Sequence, residues 1–346
     1  MAYAPLNVSS QLSHIAEEFV ERSFNVADRY LTEVALHEFV LSLSGVSIAV
    51  LSPHGIAETA LLEGAFIATE HNIKCSWRLV IINGDLGHRP PDRRWDPRLN
   101  QPTGQLRLPG DSVRIAVDPI VHAVWVMDHV RKCVLVFVTS MRALPRWWFA
   151  TPLRLGLSWI ADVYDAEFVH GAAIGRNGQG IVLAGPSGIG KSTLSLKMAF
   201  TGWEFLSDDF FLVKETTATS VYRRAKLNSD SLHQLRCPPM AEFVERESTS
   251  KSIIDISLLD EVAHVPKLKI RAITIPSLTP FVGLRPVTRA HAFMELGPAT
   301  LAGLQGGQKR SFARLAHFIN SCHLYTFGVM GSSSDVFRAL EEELES

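Results

Sequence analysis

Nine consecutive residues, Gly185-Pro186-Ser187-Gly188-Ile189-Gly190-Lys191-Ser192-Thr193, set three glycines ahead of a lysine and two hydroxyls. The first eight satisfy G-x-x-x-x-G-K-[ST], a loop built to hold phosphate. Glycines let successive main-chain N–H groups turn inward as a nest for anionic oxygens, and a helix starting there adds its positive end. Lys191 then neutralises a phosphoryl group, and the Ser192 hydroxyl can hold magnesium. A glycine-rich turn with no ligand leaves the lysine and hydroxyl unexplained.

Downstream, Asp208 and Asp209 stand side by side between the apolar runs Trp203–Leu206 and Phe210–Val213. Adjacent carboxylates in apolar surroundings are costly unless something pairs with them. Magnesium at the neighbouring loop satisfies one, and the other can take a proton from an attacking hydroxyl, the base role in phosphoryl transfer. A pair that only caps a turn is the competing reading, since Asp is common in turns. His170, in the apolar run before the loop, is either a satisfied core histidine or a side chain close to the phosphates.

The elements that must position these groups are legible nearby. Ile181–Ala184 reads as the strand entering the loop. Ser192–Phe200, with Leu194/Met198 and Leu196/Phe200 at i,i+4, reads as the helix leaving it. Glu167–Ile174 reads as an earlier strand, and Asn177-Gly178 between the two apolar runs is a hairpin signal. The strand feeding the loop is therefore expected to pair antiparallel with its predecessor. The crossover sheets of GTPases and motors have no hairpin at that place.

The remaining chain is read more coarsely. Ser10–Ala49 carries helical spacing, with Ile15, Phe19, Val20 and Phe24 on one face, while Val46–Leu51 and Trp77–Ile82 read as strands flanking a helix over Ala57–Glu70. Gly84–Gly110, which includes Arg89, Arg93, Arg94 and Arg98, reads as a solvated loop. Ser112–Val117, Ala123–Met127 and Lys132–Ser140 read as an antiparallel sheet. Arg142–Pro152, with paired Trp147-Trp148 read as inter-domain packing, marks a boundary, and Pro152 opens a helix over Leu153–Val163. Arg223, Arg224 and Lys226 either meet phosphates or an acidic peptide, or guard a strand edge; Lys251 is read as a surface residue. Ser332–Ser346 reads as a last helix with Phe337, Leu340 and Leu344 inward.

The 346 residues, 47% hydrophobic and 20% charged with a formal charge of −1, exclude a disordered or coiled-coil chain and suit two domains. That charge sets up no global field for nucleic acid or anionic membrane. The longest apolar runs are strand-sized, short of the ~20 residues of a spanning helix. No basic-then-apolar leader opens the sequence. Cys75, Cys133, Cys237 and Cys322 have neither zinc nor CxxC spacing. The expectation is a cytoplasmic protein with reduced thiols, no nucleic-acid partner and no membrane partner, with a homo-oligomer left open.

The order Val169-His170-Gly171-Ala172, a glycine-rich hairpin, Gly-x-Ser-Gly-x-Gly-Lys-Ser, a glycine and then Asp-Asp resembles the catalytic domain of the HPr kinase/phosphorylase family and its bacterial relatives. It is closest in look to those that tailor peptides, including lasso-peptide precursors. The resemblance covers Phe168–Val213 strongly and continues loosely to the C-terminus through Leu268–Ile275, Ser311–Ser321 and His323–Val329. It implies an α/β fold: a mixed-sheet phosphate-loop domain over 146–346, shared with phosphoenolpyruvate carboxykinases. A smaller α+β domain over 1–145, suited to acceptor recognition, would precede it. It also implies ATP and Mg2+ as cofactors and a serine hydroxyl as acceptor. Carried over, Gly185, Gly190, Lys191 and Ser192 hold phosphate and magnesium, Asp208 is the base, Asp209 a metal partner and His170 a phosphate-side residue. The second signature of enzymes acting on HPr is missing, so a serine in another peptide or small protein is the expected acceptor. A small-molecule kinase and a nucleotide-gated regulator without turnover are the rival readings.

Overall fold

The computed structural model describes residues 10–67, 73–91, 105–107, 112–235, 239, 241–246, 249–279, 281–302, 308–328 and 333–345. Arg93, Arg94, Arg98 and Cys237 lie outside them; Cys75, Cys133 and Cys322 are free thiols. Two compact units result: 1–64 with 68–145 and 153–159, and 65–67 with 146–152 and 160–346.

In the first unit the elements run α1 (Ser10–Glu33), β1 (Leu36–Leu43), β2 (Val46–Pro53), α2 (Ala57–Glu63), β3 (Trp77–Asn83), β4 (Gln105–Arg107), β5 (Val113–Asp118), β6 (Ala123–Asp128) and β7 (Cys133–Val138). They form one seven-stranded mixed sheet, β1-β2-β3-β7-β6-β5-β4. The expected antiparallel run is present as β5-β6-β7, and β3 joins it parallel to β7. The helical spacing ends sooner than the sequence suggested. Residues 36–43 form a strand, because Phe39, Leu41 and Leu43 bury every second side chain, a period of two. The helix at Ala57 likewise stops at Glu63. Phe19, Val20, Ala27 and Tyr30 of α1 bury one face of the sheet against Val80, Ile82, Ile115, Val126 and Phe137.

The next helix, α3 (Arg154–Val163), starts two residues after Pro152. The second unit continues with β8 (Glu167–His170), β9 (Ala172–Arg176), β10 (Gln179–Leu183), α4 (Lys191–Ala199), β11 (Glu204–Ser207), β12 (Phe210–Lys214), β13 (Thr217–Thr219), β14 (Arg224–Asn228) and α5 (Ser229–Leu235). It ends with β15 (Ala241–Arg246), β16 (Thr249–Asp255), β17 (Lys267–Ser277), β18 (Arg285–Pro286), α6 (Arg289–Ala302), α7 (Gln308–Asn320), β19 (His323–Gly328) and α8 (Ser333–Glu345). Nine strands form one mixed sheet, and β14-β16-β15 form a small separate one.

The hairpin stands where the sequence placed it. β9 and β10 pair antiparallel, turning at Asn177 (φ 53°) and Gly178 (φ 77°), the left-handed pair that a type I′ turn needs. On its other side β10 pairs parallel with β17. Residues 167–174 are not one strand, however. The chain breaks at Gly171, so that β8 pairs with β12 and β9 with β11. Because β8 runs on into β9 and β11 into β12, these two pairings form one long antiparallel ladder, interrupted at Gly171 on one side and Asp208-Asp209 on the other.

Both faces of this sheet are covered. Leu196, Met198 and Ala199 of α4, with Val336, Leu340 and Leu344 of α8, pack on Ile174, Ile181 and Leu183. Ala292 and Leu296 of α6 and Leu315, Phe318 and Ile319 of α7 pack on Val169, Val182 and Phe211 from the opposite side. Trp147 leans on Ala150 and Ile253 within this unit.

Candidate active site

The strand β10 delivers the chain into the loop, and α4 begins at Lys191 with Gly190 at its N-cap. Gly185, Gly188 and Gly190 all have positive φ (134°, 90° and 97°), a backbone path that side chains with a Cβ rarely follow and that turns main-chain amides inward. Lys191 is buried, and its Nζ donates to the carbonyl oxygens of Gly185 (2.7 Å) and Pro186 (3.0 Å), bracing the loop from within. Burial lowers its pKa; Asp208 and Asp209 work against that shift, whereas Lys251 and Lys226 add to it. Thr193, the last residue of the motif, turns away: its hydroxyl lies 2.6 Å from Ser231 Oγ on α5. That bond ties α5 to the start of α4.

Asp208 and Asp209 sit in the break between β11 and β12, and their environments drive them apart. Asp208 is buried, and burial followed by the charge of Asp209 raises its pKa; the Lys226 amide and the Ser192 hydroxyl pull the other way. Its Oδ2 accepts from the Lys226 main-chain N–H at 2.9 Å. Its Oδ1 is buried and makes no well-aligned hydrogen bond among the described residues, the Ser192 hydroxyl being the carboxyl's side-chain neighbour. Burial acts on Asp209 in the same upward sense, but the Lys226 ammonium and His170 outweigh it and hold the carboxyl well below its usual range. Asp209 Oδ2 lies 2.7 Å from Lys226 Nζ, and Oδ1 lies 3.1 Å from His170 Nε2. His170 thus stands against Asp209. Its amide donates to Thr300 Oγ1 on α6 (3.1 Å), and its ring packs on Phe210 with centroids 4.9 Å apart.

These residues fit a bound nucleotide and magnesium. The loop amides and Lys191 suit phosphate oxygens, and the Ser192 hydroxyl suits a hard cation. Among the described residues no three His, Cys, Asp or Glu side chains converge as a metal cage. Magnesium held largely by phosphates and water does not require one. Asp209 meets His170 through one oxygen and Lys226 through the other, and each oxygen keeps a lone pair for a cation.

No protein-family model matches the chain, and no curated protein matches it. Among solved structures, the Hpr(Ser) kinase/phosphatase from Coxiella burnetii is similar over 51% of this chain and 95% of that chain, at 15% identity and a TM-score of 0.29. At that score the likeness carries no weight by itself. The geometry above does.

Two contributors escaped the sequence reading. Helix α6 was not foreseen, because Gly297 and Pro298 interrupt its apolar spacing. It brings Thr300 to His170 and places Glu295 Oε2 3.9 Å from where a Cβ on Gly185 would stand. Lys226 is one of three basic residues read either as meeting phosphates or an acidic peptide or as guarding a strand edge, and the three separate in the structure. Arg223 pairs with Asp255 (3.3 Å), Arg224 is buried and donates to the Phe149 carbonyl, and Lys226 joins the aspartates. The signal for this was the alternation Arg224-Ala225-Lys226-Leu227, in which Ala225 and Leu227 enter the core under α4 and Lys226 points the other way.

Proposed function

We propose that the second unit is an ATP-dependent phosphotransferase that moves the γ-phosphoryl group to a hydroxyl. The acceptor we favour is a serine of a peptide or small protein, as the resemblance of residues 168–213 implies. One observation carries the reading: the Ser192 hydroxyl of a complete phosphate loop lies against a buried carboxylate, Asp208. A buried carboxylate with raised proton affinity is the kind of group that accepts a proton from an attacking hydroxyl.

In this mechanism the loop amides and Lys191 hold the triphosphate in line with the acceptor, and Ser192 holds Mg2+, which supplies neutralisation of the developing charge. Asp208 takes the acceptor's proton as its O–H bond breaks and its oxygen bonds to the γ-phosphorus, releasing ADP. Positioning and electrostatics supply most of the rate. Asp209, the metal partner by resemblance, is held by His170 and Lys226, and the lone pairs left on its oxygens would let it help Ser192 hold Mg2+.

The test is transfer from γ-labelled ATP in the presence of magnesium and desalted or undesalted host extract, with Asp208→Asn alongside. Label on a peptide or protein that disappears with the variant supports the proposal. Label confined to small metabolites redirects it to a small-molecule kinase. ATP binding without transfer to any fraction leaves a regulator.

A further inference from the structure

Lys226 touches both carboxylates of the pair at once. Its main-chain N–H donates to Asp208 Oδ2 at 2.9 Å, and its Nζ lies 2.7 Å from Asp209 Oδ2. Strand β14 therefore delivers two different groups of one residue to two consecutive side chains in the break between β11 and β12. The register holds this in place: β14 is zipped to β16 through Lys226↔Ile253, while Ala225 and Leu227 anchor it in the core. The Lys226 side chain is only 15% exposed, unlike a lysine that guards a solvated edge. With His170 on Asp209 Oδ1, two cationic or hydrogen-bonding side chains hold Asp209, whereas Asp208 is held by the Lys226 amide and meets the Ser192 hydroxyl of the phosphate loop.

We infer that Lys226 is a positioning residue that gives the two adjacent aspartates different duties. Its amide fixes Asp208 beside the Ser192 hydroxyl of the phosphate loop, and its ammonium retains Asp209 as part of the protein framework. Without it, two neighbouring buried carboxylates would repel each other, with His170 alone left to hold Asp209. The catalytic half of this inference rests on the phosphotransferase reading; the clamp itself does not.

The experiment uses the full chain with Lys226→Met, which removes the charge and keeps the amide, Lys226→Arg, Asp209→Asn and the Met/Asn double variant. In urea unfolding, each single change is expected to destabilise, and the double variant to lose less than the sum; additive losses would overturn the clamp. With a fluorescent ATP analogue and magnesium, Lys226→Met is expected to bind within about 3-fold of the unsubstituted protein, a loss confined to the rate rather than to binding. Phosphoryl transfer, to water or to the acceptor fraction, is expected to fall at least about 10-fold, with Lys226→Arg recovering part of it. Affinity falling in step with rate, or no rescue by arginine, would make Lys226 a phosphate ligand or a packing residue and end the positioning role. ATP binding with no turnover in any variant ends its catalytic half. If the unsubstituted protein binds no ATP, the phosphotransferase reading fails, and the urea cycle alone decides the clamp.

Discussion

The amide of Gly171 donates to the main-chain carbonyl of Asp209 at 3.0 Å, pinning the break in one strand against the break in its partner. The ladder resumes on either side, Ser207↔Ala173 before it, next to a register shift between Phe205 and Ser207, and Phe210↔His170 after it. Polar side chains in a continuous buried ladder would be forced into the core or out of it by the period of two. The paired breaks let His170, Asp208 and Asp209 leave that pattern together and gather beside the loop.

Lys191→Ala removes the charge that faces phosphate and also the internal brace on the Gly185 and Pro186 carbonyls. Phosphoryl transfer is expected to fall by about 100-fold or more, the scale for losing one preorganised charge at the reacting group. Steady-state assay of transfer from labelled ATP checks this, and full activity would remove the loop from the mechanism.

Gly175→Ala tests the hairpin that feeds the loop. A Cβ there would stand 2.2 Å from the Gln179 carbonyl oxygen and 2.7 Å from a Leu268 methyl, so β9 and β10 must separate or β17 must shift. The expected loss is about 1–3 kcal/mol, the scale of overpacking in a filled core. Chemical denaturation measures it, and an unchanged midpoint would mean that the strands are less closely paired than described.

Arg314 on α7 reaches two buried acids, donating to Asp162 at 2.6 Å and to Glu167 at 2.8 and 3.1 Å. Burial raises the Glu167 pKa, and Arg314 opposes the rise. Arg314→Met would take the cation away from both carboxylates, leaving Ser311 on Glu167, and a loss of about 3–5 kcal/mol is expected, as when one member of a buried pair is removed. Urea unfolding at neutral pH reads this loss, which should shrink as the pH falls and the two acids protonate.

His264 gives a pH dependence whose sign is fixed. Burial lowers its pKa from 6.5, and its Nε2 lies 3.2 Å from the Leu206 carbonyl and 3.1 Å from Ser220 Oγ. Below pH 6.5 the unfolded chain binds a proton that the native state refuses, so stability falls as pH drops from 6.5 toward the lowered native value, then levels off. Thermal unfolding between pH 7 and 5 should show this slope (about one proton's worth) and a flatter profile in His264→Gln. An unchanged slope would assign the titration elsewhere. Because Leu206 immediately precedes the turn holding Asp208, the same variant is expected to slow transfer.

The sequence alone determined the parts in which local chemistry leaves no choice. Glycines spaced ahead of Lys191 and Ser192 admit one kind of loop, Asn177-Gly178 admits one kind of turn, and the apolar runs around them admit a strand on one side and a helix on the other. Period alone also placed β2, β3 and β5 to β7. It misjudged the chain where two periods overlap. Residues 36–43 follow an amphipathic helix without a strong breaker, and only their pairing with β2 fixes the strand. Helix α6 was hidden by Gly297 and Pro298, yet Ala292, Leu296 and Thr300 have buried partners that hold it. The site shows the same division. Residue type marked His170, Asp208 and Asp209 as candidates but left their roles open, since an aspartate's proton affinity depends on what surrounds it. The tertiary structure supplied those surroundings. Lys226, a distant lysine with no motif of its own, meets both acids because β14 is paired to β16 and its alternate residues are buried. An ammonium 2.7 Å from one carboxylate and an amide 2.9 Å from the other make chemically identical neighbours unequal.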